Sequence, residues 1–208
     1  STLEELFLSG QLLRGIGSDN IDWRLRHAQF NAAEGVRWLG TSIASLSDLQ
    51  AALVVGSNLR KDHPLFAQRI RQAAKKGAQI FALNRTVDDW AMPVTASLVA
   101  AQDWAQALAD IAAAVAQSKG VQAPVAAQAN AEADAIAQAL LAGERKAILL
   151  GNAAAHHAQA AQLLALANWI GTQTGATVGY LTEAANTVGA QWVKAQPQSH
   201  GLNAAQMI

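Results

Sequence analysis

Two short apolar runs each end in a glycine that is followed within two residues by asparagine. Ala51-Ala52-Leu53-Val54-Val55 leads into Gly56-Ser57-Asn58, and Lys146-Ala147-Ile148-Leu149-Leu150 leads into Gly151-Asn152. Neither run alternates apolar with polar residues, so each reads as a strand buried on both faces, as in a parallel sheet. A helical pattern follows each one. After the first, Pro64 suits an opening helical position, with Asp62 or His63 as its cap. Phe66, Ile70, Ala73 and Ala74 form the apolar stripe, Lys75 and Lys76 complement the negative end of the helix dipole, and Gly77 stops the helix. Gln79 to Asn84 then reads as the next strand, which completes a βαβ unit whose crossover should be right-handed.

The same grammar extends along the 208 residues. Thr2-Leu3-Glu4-Glu5 has capping-box spacing ahead of a helix that carries Leu6, Phe7, Gly10 and Leu13 on one face, with Gly15 and Gly17 as stop signals. Asn20 to Arg26 shows neither periodicity and predicts an ordered loop or short turn; its charges and Trp23 imply that it packs against something. Asp103 with Gln106 can cap a helix that ends near Gly120. Residues 121–130 are rich in Ala and Gln, contain Pro124 and lack periodicity, so they form the best linker. A helix with Ile136, Leu140 and Leu141 ends at Gly143. Beyond the second strand, one continuous helix is expected from about Ala155 to Thr174, and Ala176 to Tyr180 suggests a further short strand. The predicted class is α/β, with parallel sheets covered by helices on both faces. One unit spans residues 1–120 and a second spans 131–208, arranged as two similar, intertwined sub-domains with incomplete ends. The chain begins at Ser1 and stops at Gln206-Met207-Ile208, where a helix is starting, so it is expected to be a piece of a longer protein.

Composition excludes several functions. The chain has no cysteine, so it supplies no disulfide, thiolate nucleophile or cysteine-held cluster. It contains 15 Lys+Arg and 15 Asp+Glu, and charged residues make up only 14%, a balance unlike that of a nucleic-acid binder. The basic cluster Arg60, Lys61, Arg69, Arg71, Lys75 and Lys76 has no interleaved aromatics and reads as a solvated helix face or a contact for an acidic partner. Apolar stretches are too short to be expected to insert directly into a membrane, and the residues from Ser1 onward lack the basic and apolar regions expected of a signal peptide.

Chemistry in an open α/β sheet is sought beyond the carboxyl ends of the strands. There the glycines let a ligand approach the backbone, and Asn58 and Asn152 can cap or hydrogen-bond, so residues 56–58 and 151–152 could hold a phosphate or simply turn the chain. Gly15-Ile16-Gly17-Ser18-Asp19-Asn20 imitates the start of a dinucleotide fingerprint but follows a helix, which is the wrong context. His27, His63, His156, His157 and His200 show no metal-ligand spacing. Adjacent histidines on a helix diverge by about 100°, so His156 and His157 should not chelate one ion together. No nucleophile elbow, P-loop or HExxH occurs, and no catalytic or metal residue is nominated. Six scattered tryptophans suit packing roles.

The stretch from Val54 through Gly56-Ser57-Asn58-Leu59-Arg60-Lys61-Asp62-His63-Pro64 to Lys75-Lys76-Gly77-Ala78 and Leu83-Asn84 resembles the molybdopterin oxidoreductase family. In that family a similar strand, GxN turn, HP pair and basic helix line the cleft for the pterin-nucleotide cofactor. Gly17 to Arg26, Ser57 to Lys61, and Gly179-Tyr180-Leu181-Thr182-Glu183-Ala184-Ala185-Asn186-Thr187-Val188-Gly189-Ala190 are similar to the large iron–sulfur subunits of bacterial NADH:quinone oxidoreductases, the respiratory complex I enzymes. The likeness covers most of the chain and is weakest from about Met92 to Arg145. It implies a formate dehydrogenase/DMSO reductase-like domain. It also implies a structural, non-catalytic role in the peripheral arm, on the cytoplasmic side of the inner membrane, among other peripheral-arm subunits and the rest of its own subunit. The iron–sulfur clusters of the parent would lie elsewhere, in cysteine-rich segments. Gly56, Ser57, Asn58, His63, Gly151 and Asn152 would trace an ancestral cofactor cleft, expected to be empty because Leu59 and Arg60 depart from the small residues of cofactor-binding relatives. The alternative implied by the same likeness is the pterin-nucleotide-binding domain of an active molybdenum oxidoreductase.

Overall fold

Five strands form one sheet among the described residues: β1 (Ala51–Val55), β2 (Gln79–Asn84), β3 (Thr95–Leu98), β4 (Lys146–Leu150) and β5 (Thr177–Tyr180). Their order is β3-β2-β1-β4-β5 and every pair is parallel. These features come from a computed structural model that describes residues 1–30 and 36–208. The two apolar runs read from the sequence are the adjacent central strands β1 and β4. They pair directly, with Ala51 opposite Lys146 and Val55 opposite Leu150, so the two α/β units contribute to one sheet. Every residue of both strands is buried, as the absence of alternation predicts.

Alternate residues serve opposite layers. Leu53, Val55, Leu83, Ile148 and Leu150 face a core completed by α4 (Trp104–Lys119), α5 (Ala131–Ala142) and α7 (Ala160–Thr174), through Leu108, Ile111, Val115, Ile136, Leu140, Leu163 and Ile170. Ala52, Val54, Ile80, Ala82 and Leu149 face the other layer, filled by Ile70 and Ala73 of α3 (Pro64–Lys75), by Leu46 of the 3-10 turn Ala44–Asp48, and by Leu49 and Leu59. Covering both faces with helices keeps such strands dry. Residues 121–130 form neither helix nor strand and lead from α4 to α5, whose start is capped by Asn130 Oδ1 accepting from Ala133 N at 2.9 Å.

Three sequence expectations change. β3 has no counterpart among the predicted strands; its Thr95-Ala96-Ser97-Leu98 is short, exposed at three of four positions and at the sheet edge, so it carries no apolar run. The helix expected from Ala155 to Thr174 is two pieces, α6 (Asn152–Ala155) and α7, because the His157 ring takes over local partners: Nδ1 accepts from Gln159 N at 3.0 Å and Nε2–H donates to Ala101 O at 2.9 Å. A single-turn helix α2 (Leu59–Asp62) precedes α3. Its cap is Asn58, whose Oδ1 accepts from Lys61 N, and His63 makes no capping hydrogen bond.

The N-terminal capping box forms as expected, with Thr2 and Glu5 bonding reciprocally at the start of α1 (Leu3–Gly15). The loop after it is stitched to the C-terminal segment. Arg14 bonds Asp19 at 2.8 Å and the carbonyls of Lys194 and Gln196 at 3.0 Å, while Asp19 accepts from Gln198 N and Ser199 N. Those donors hold the Asp19 carboxyl at a pKa of about 2. Of the predicted apolar face, Gly10 is buried, Leu6 and Leu13 are half-buried and Phe7 is exposed, while Leu8 and Leu12 on other sides of α1 also face solvent.

Residues 38–40 cross the outer edge of β5, where Tyr180 N donates to Trp38 O at 2.8 Å. Gly179 permits that approach, since a Cβ there would fall on the Leu39 carbonyl. Gly179→Ala is therefore expected to destabilise the fold by about 1–3 kcal/mol or more, as overpacking against backbone does. Urea denaturation would show the loss as a lower midpoint with little change in slope.

Candidate functional site

The strand order reverses between β1 and β4: the chain leaves β1 toward β2 on one side and β4 toward β5 on the other. A crevice opens outside the carboxyl ends at such a point. Gly56, Ser57 and Asn58 lie there, with Gly151 and Asn152 beside them at the end of β4, as the sequence anticipates. The glycine is required by geometry: Gly56 has φ +65°, and a Cβ would stand 2.8 Å from the Trp104 ring and 2.7 Å from Ala154 N.

Five backbone donors of this crevice bond within the protein. Gly56 N donates to Leu83 O at 3.0 Å, Gly151 N to Val55 O at 2.8 Å and Ala153 N to Gly56 O at 3.0 Å. Ser57 N donates to Asn84 Oδ1 at 3.1 Å, and Asn58 N to Asp62 Oδ2 at 3.1 Å. Asn84, the last residue of β2 and only 5% exposed, closes the ring by donating through Nδ2 to Ser57 O at 2.9 Å and to Asp88 Oδ2 at 3.3 Å. Asp88 also accepts from Asn58 Nδ2 at 3.0 Å. What remains is a cavity of about 240 Å³ edged by Asp62, Asp88 and Arg85. The Ser57 hydroxyl is buried in its wall, unpartnered among the described residues. Sequence reasoning places Asn84 only at a strand end; the signal it carries is a polar residue closing an otherwise apolar run.

His63 works away from this crevice. Its Nε2 sits 2.9 Å from the Thr182 carbonyl, which can only accept, so Nε2 carries the proton, and the ring stacks on Phe66 with centroids 5.8 Å apart. Burial pushes its pKa below the ordinary histidine value. Asn152 Oδ1 and His63 Nδ1 are buried without partners among the described residues.

A second polar cluster lies beyond β4 and β5. His156 Nε2 bonds Glu183 Oε2 at 2.6 Å, the His27 ring packs against His156 with centroids 5.2 Å apart, and Trp23 meets His27 edge-on at 5.2 Å. One ligand atom from each of His27, His156 and Glu183 lies within 4.8 Å of the others. The sequence nominates no metal residue, yet in the folded chain these three side chains stand near enough to share one ion. Spacing along the chain could not show it, because three separate segments supply the residues. The divergence of His156 and His157 does hold, since His157 turns to Ala101 O and stacks on Trp104 with centroids 5.6 Å apart. Burial, with the nearby His156 and Arg37, depresses His27 to about 4, partly opposed by Glu183.

Two outcomes follow from this geometry. Asn84→Leu strands the Ser57 N–H and C=O and is expected to destabilise by about 1–3 kcal/mol for each unsatisfied group; Asn84→Asp should do worse, because a carboxylate would face both the Ser57 carbonyl and Asp88. Urea melts of the two variants check this order. His27 is held below its unfolded value, so its contribution is present above about pH 6.5 and is lost as pH falls toward 4. Stability of His27→Gln, measured by urea melts across that window, should fall less steeply than that of the wild type.

Comparison with known proteins agrees with the architecture. A family model described as molybdopterin oxidoreductase matches residues 1–208. Over 85 residues the chain is 35% identical to the probable oxidoreductase YjgC of Bacillus subtilis (strain 168), covering 38% of this chain and 9% of that protein. The fold is similar to that of a chain in the formyltransferase/hydrolase complex FhcABCD from Methylorubrum extorquens, solved with methylofuran, with TM-score 0.63 and 18% identity over 94% of this chain and 55% of the other. The chain thus spans only a part of each of these relatives. With the parallel sheet, its switch-point crevice and a family match running from end to end, the chain belongs to the molybdopterin oxidoreductase family.

Proposed function

We propose that this chain is a molybdopterin-oxidoreductase-like domain of the large iron–sulfur subunit of a bacterial NADH:quinone oxidoreductase, and that it acts there as a scaffold. Electrons from NADH would pass to quinone through clusters in other segments. This domain would hold the peripheral arm together on the cytoplasmic side of the inner membrane. The stretches Gly17 to Arg26 and Gly179 to Ala190 support that parentage by resemblance. Among the described residues no helix is long and apolar enough to cross a membrane. The exposed side chains of Leu8 and Leu12, one helical turn apart on α1, suit contact with the rest of the large subunit or its neighbours.

The observation that carries the scaffold reading is the engaged ring of donors at the switch point. A pterin dinucleotide needs free N–H groups for its diphosphate. Here those of Gly56, Ser57, Asn58, Gly151 and Ala153 bond within the protein, and Asp62 and Asp88 set carboxylates where the anion would lie. The 240 Å³ cavity falls below the range of about 300–1,000 Å³ usual for ligands of drug size. The residues present do not fit that cofactor.

The second reading, a pterin-nucleotide domain of an active molybdenum oxidoreductase, is favoured by one observation, the unpartnered Ser57 hydroxyl in the crevice wall. Titrating the protein with guanosine diphosphate separates the two. The scaffold reading expects no thermal shift. A ligand at 100 times its dissociation constant would add about 2.7 kcal/mol, and a shift of that size, abolished by Asn58→Leu, would favour the second. Affinity capture of the full-length protein from its own cells should bring down NADH-oxidising activity linked to quinone, and capture without that activity would overturn the parentage.

A further inference from the structure

We propose that His27, His156 and Glu183 form a binding site for one zinc ion, with a fourth position open to a water or hydroxide. The three side chains come from the loop after α1, the break between α6 and α7, and the segment after β5, so they converge only in the folded chain. Two imidazoles and a carboxylate are a ligand set that zinc accepts, with metal–ligand distances of about 2.0–2.2 Å. Tetrahedral geometry at those distances sets ligand atoms about 3.3 Å apart. The present atoms are already within 4.8 Å of one another, so side-chain adjustments of about 1.5 Å or less close the site. Zinc would take the place of the proton now shared between His156 Nε2 and Glu183 Oε2, with the imidazole proton carried on Nδ1. Arg26 lies 3.8 Å from the other carboxylate oxygen, Oε1, leaving Oε2 for the metal.

A second observation points to a ligand at the same place. His27 and Glu183 line a small cavity of about 20 Å³ together with Trp23, Arg37, Tyr180 and Thr187. On three of these lining residues, Trp23 Nε1, Tyr180 Oη and Thr187 Oγ1 are buried without a partner among the described residues, and Tyr180 is only 5% exposed. Three orphaned polar atoms on the residues lining one small space are uncommon, because each unsatisfied group costs about 1–3 kcal/mol. The space holds about one water. An oxygen bound to zinc at that point would accept from the Trp23 N–H, which can only donate, and bond the two hydroxyls. As hydroxide, with the Glu183 carboxylate, it would balance the dication beside the Arg37 guanidinium, which packs 5.3 Å from the Tyr180 ring. The ion would pin the loop around His27 to the ends of β4 and β5. That loop is held there by Ala28 N donating to His156 O at 3.3 Å and Ala161 N donating to Gln29 Oε1 at 2.9 Å.

Calorimetric titration of zinc into chelator-treated protein tests this, with cobalt(II) as a spectroscopic substitute. The expected result is one ion per chain and a tetrahedral cobalt spectrum. His27→Ala, His156→Ala and Glu183→Gln should each weaken binding by at least about 100-fold, since even disturbing groups that only orient a metal's ligands costs 10–100-fold. His157→Ala and His200→Ala should bind as the wild type does. Thermal melts of each variant without metal establish folding, and where a variant does not fold the wild-type stoichiometry and cobalt spectrum decide. A wild type that binds no stoichiometric zinc, an octahedral cobalt spectrum, or zinc retained by folded His156→Ala would each overturn the site.

Discussion

β1 and β4 lie side by side with every residue of both strands removed from water, and the rest of the structure follows from keeping them so. One covering layer cannot bury two such strands, because successive residues point to opposite faces. Leu53, Val55, Ile148 and Leu150 call for α4, α5 and α7; Ala52, Val54 and Leu149 call for α3 and the 44–48 turn. Both strands being parallel, each needs a helical crossover to return the chain, and those crossovers are the covering layers. Polar chemistry is thereby confined to the strand ends, where the backbone leaves the ladder.

At the carboxyl end the chain has used that freedom on itself. An open turn after a strand offers N–H groups to an anion. Here Asn84, buried at the end of the neighbouring strand, offers a side-chain amide that mimics a backbone and accepts from Ser57 N while donating to Ser57 O. A buried amide satisfied on both sides is rigid and specific, and it would be costly to displace for a competing ligand. Asp88 extends the arrangement by bonding the amides of both Asn58 and Asn84. Ser57, Asn58, Asn84 and Asp88 thus form a local brace at the strand ends.

The elements that rest on local periodicity are legible in the residues alone. β1, β2 and β4 fall at the predicted positions, as do the ends of α4 at Gly120 and α7 at Gly175, both left-handed. Legibility fails wherever the deciding partner is distant in sequence. β3 exists because β2 offers it an edge, and its own four residues carry no signal. The break at residues 156–159 depends on Ala101, and the role of Asn84 depends on a turn 27 residues earlier. The His27, His156 and Glu183 cluster is the extreme case: no spacing rule links a loop, a helix break and a post-strand segment, although the histidines could be enumerated at once.

Adjacent histidines show how one short helix break coordinates both ends of the carboxyl face. His156 and His157 diverge, as two neighbouring positions on a helical turn must. His157 stacks on Trp104, and the Trp104 ring is the surface against which Gly56 closes the β1 turn, so this side chain buttresses the crevice at the switch point. His156 points the other way, to Glu183 and His27, and governs how the N-terminal loop meets β5. The short break after α6 thus braces two separate parts of the carboxyl face.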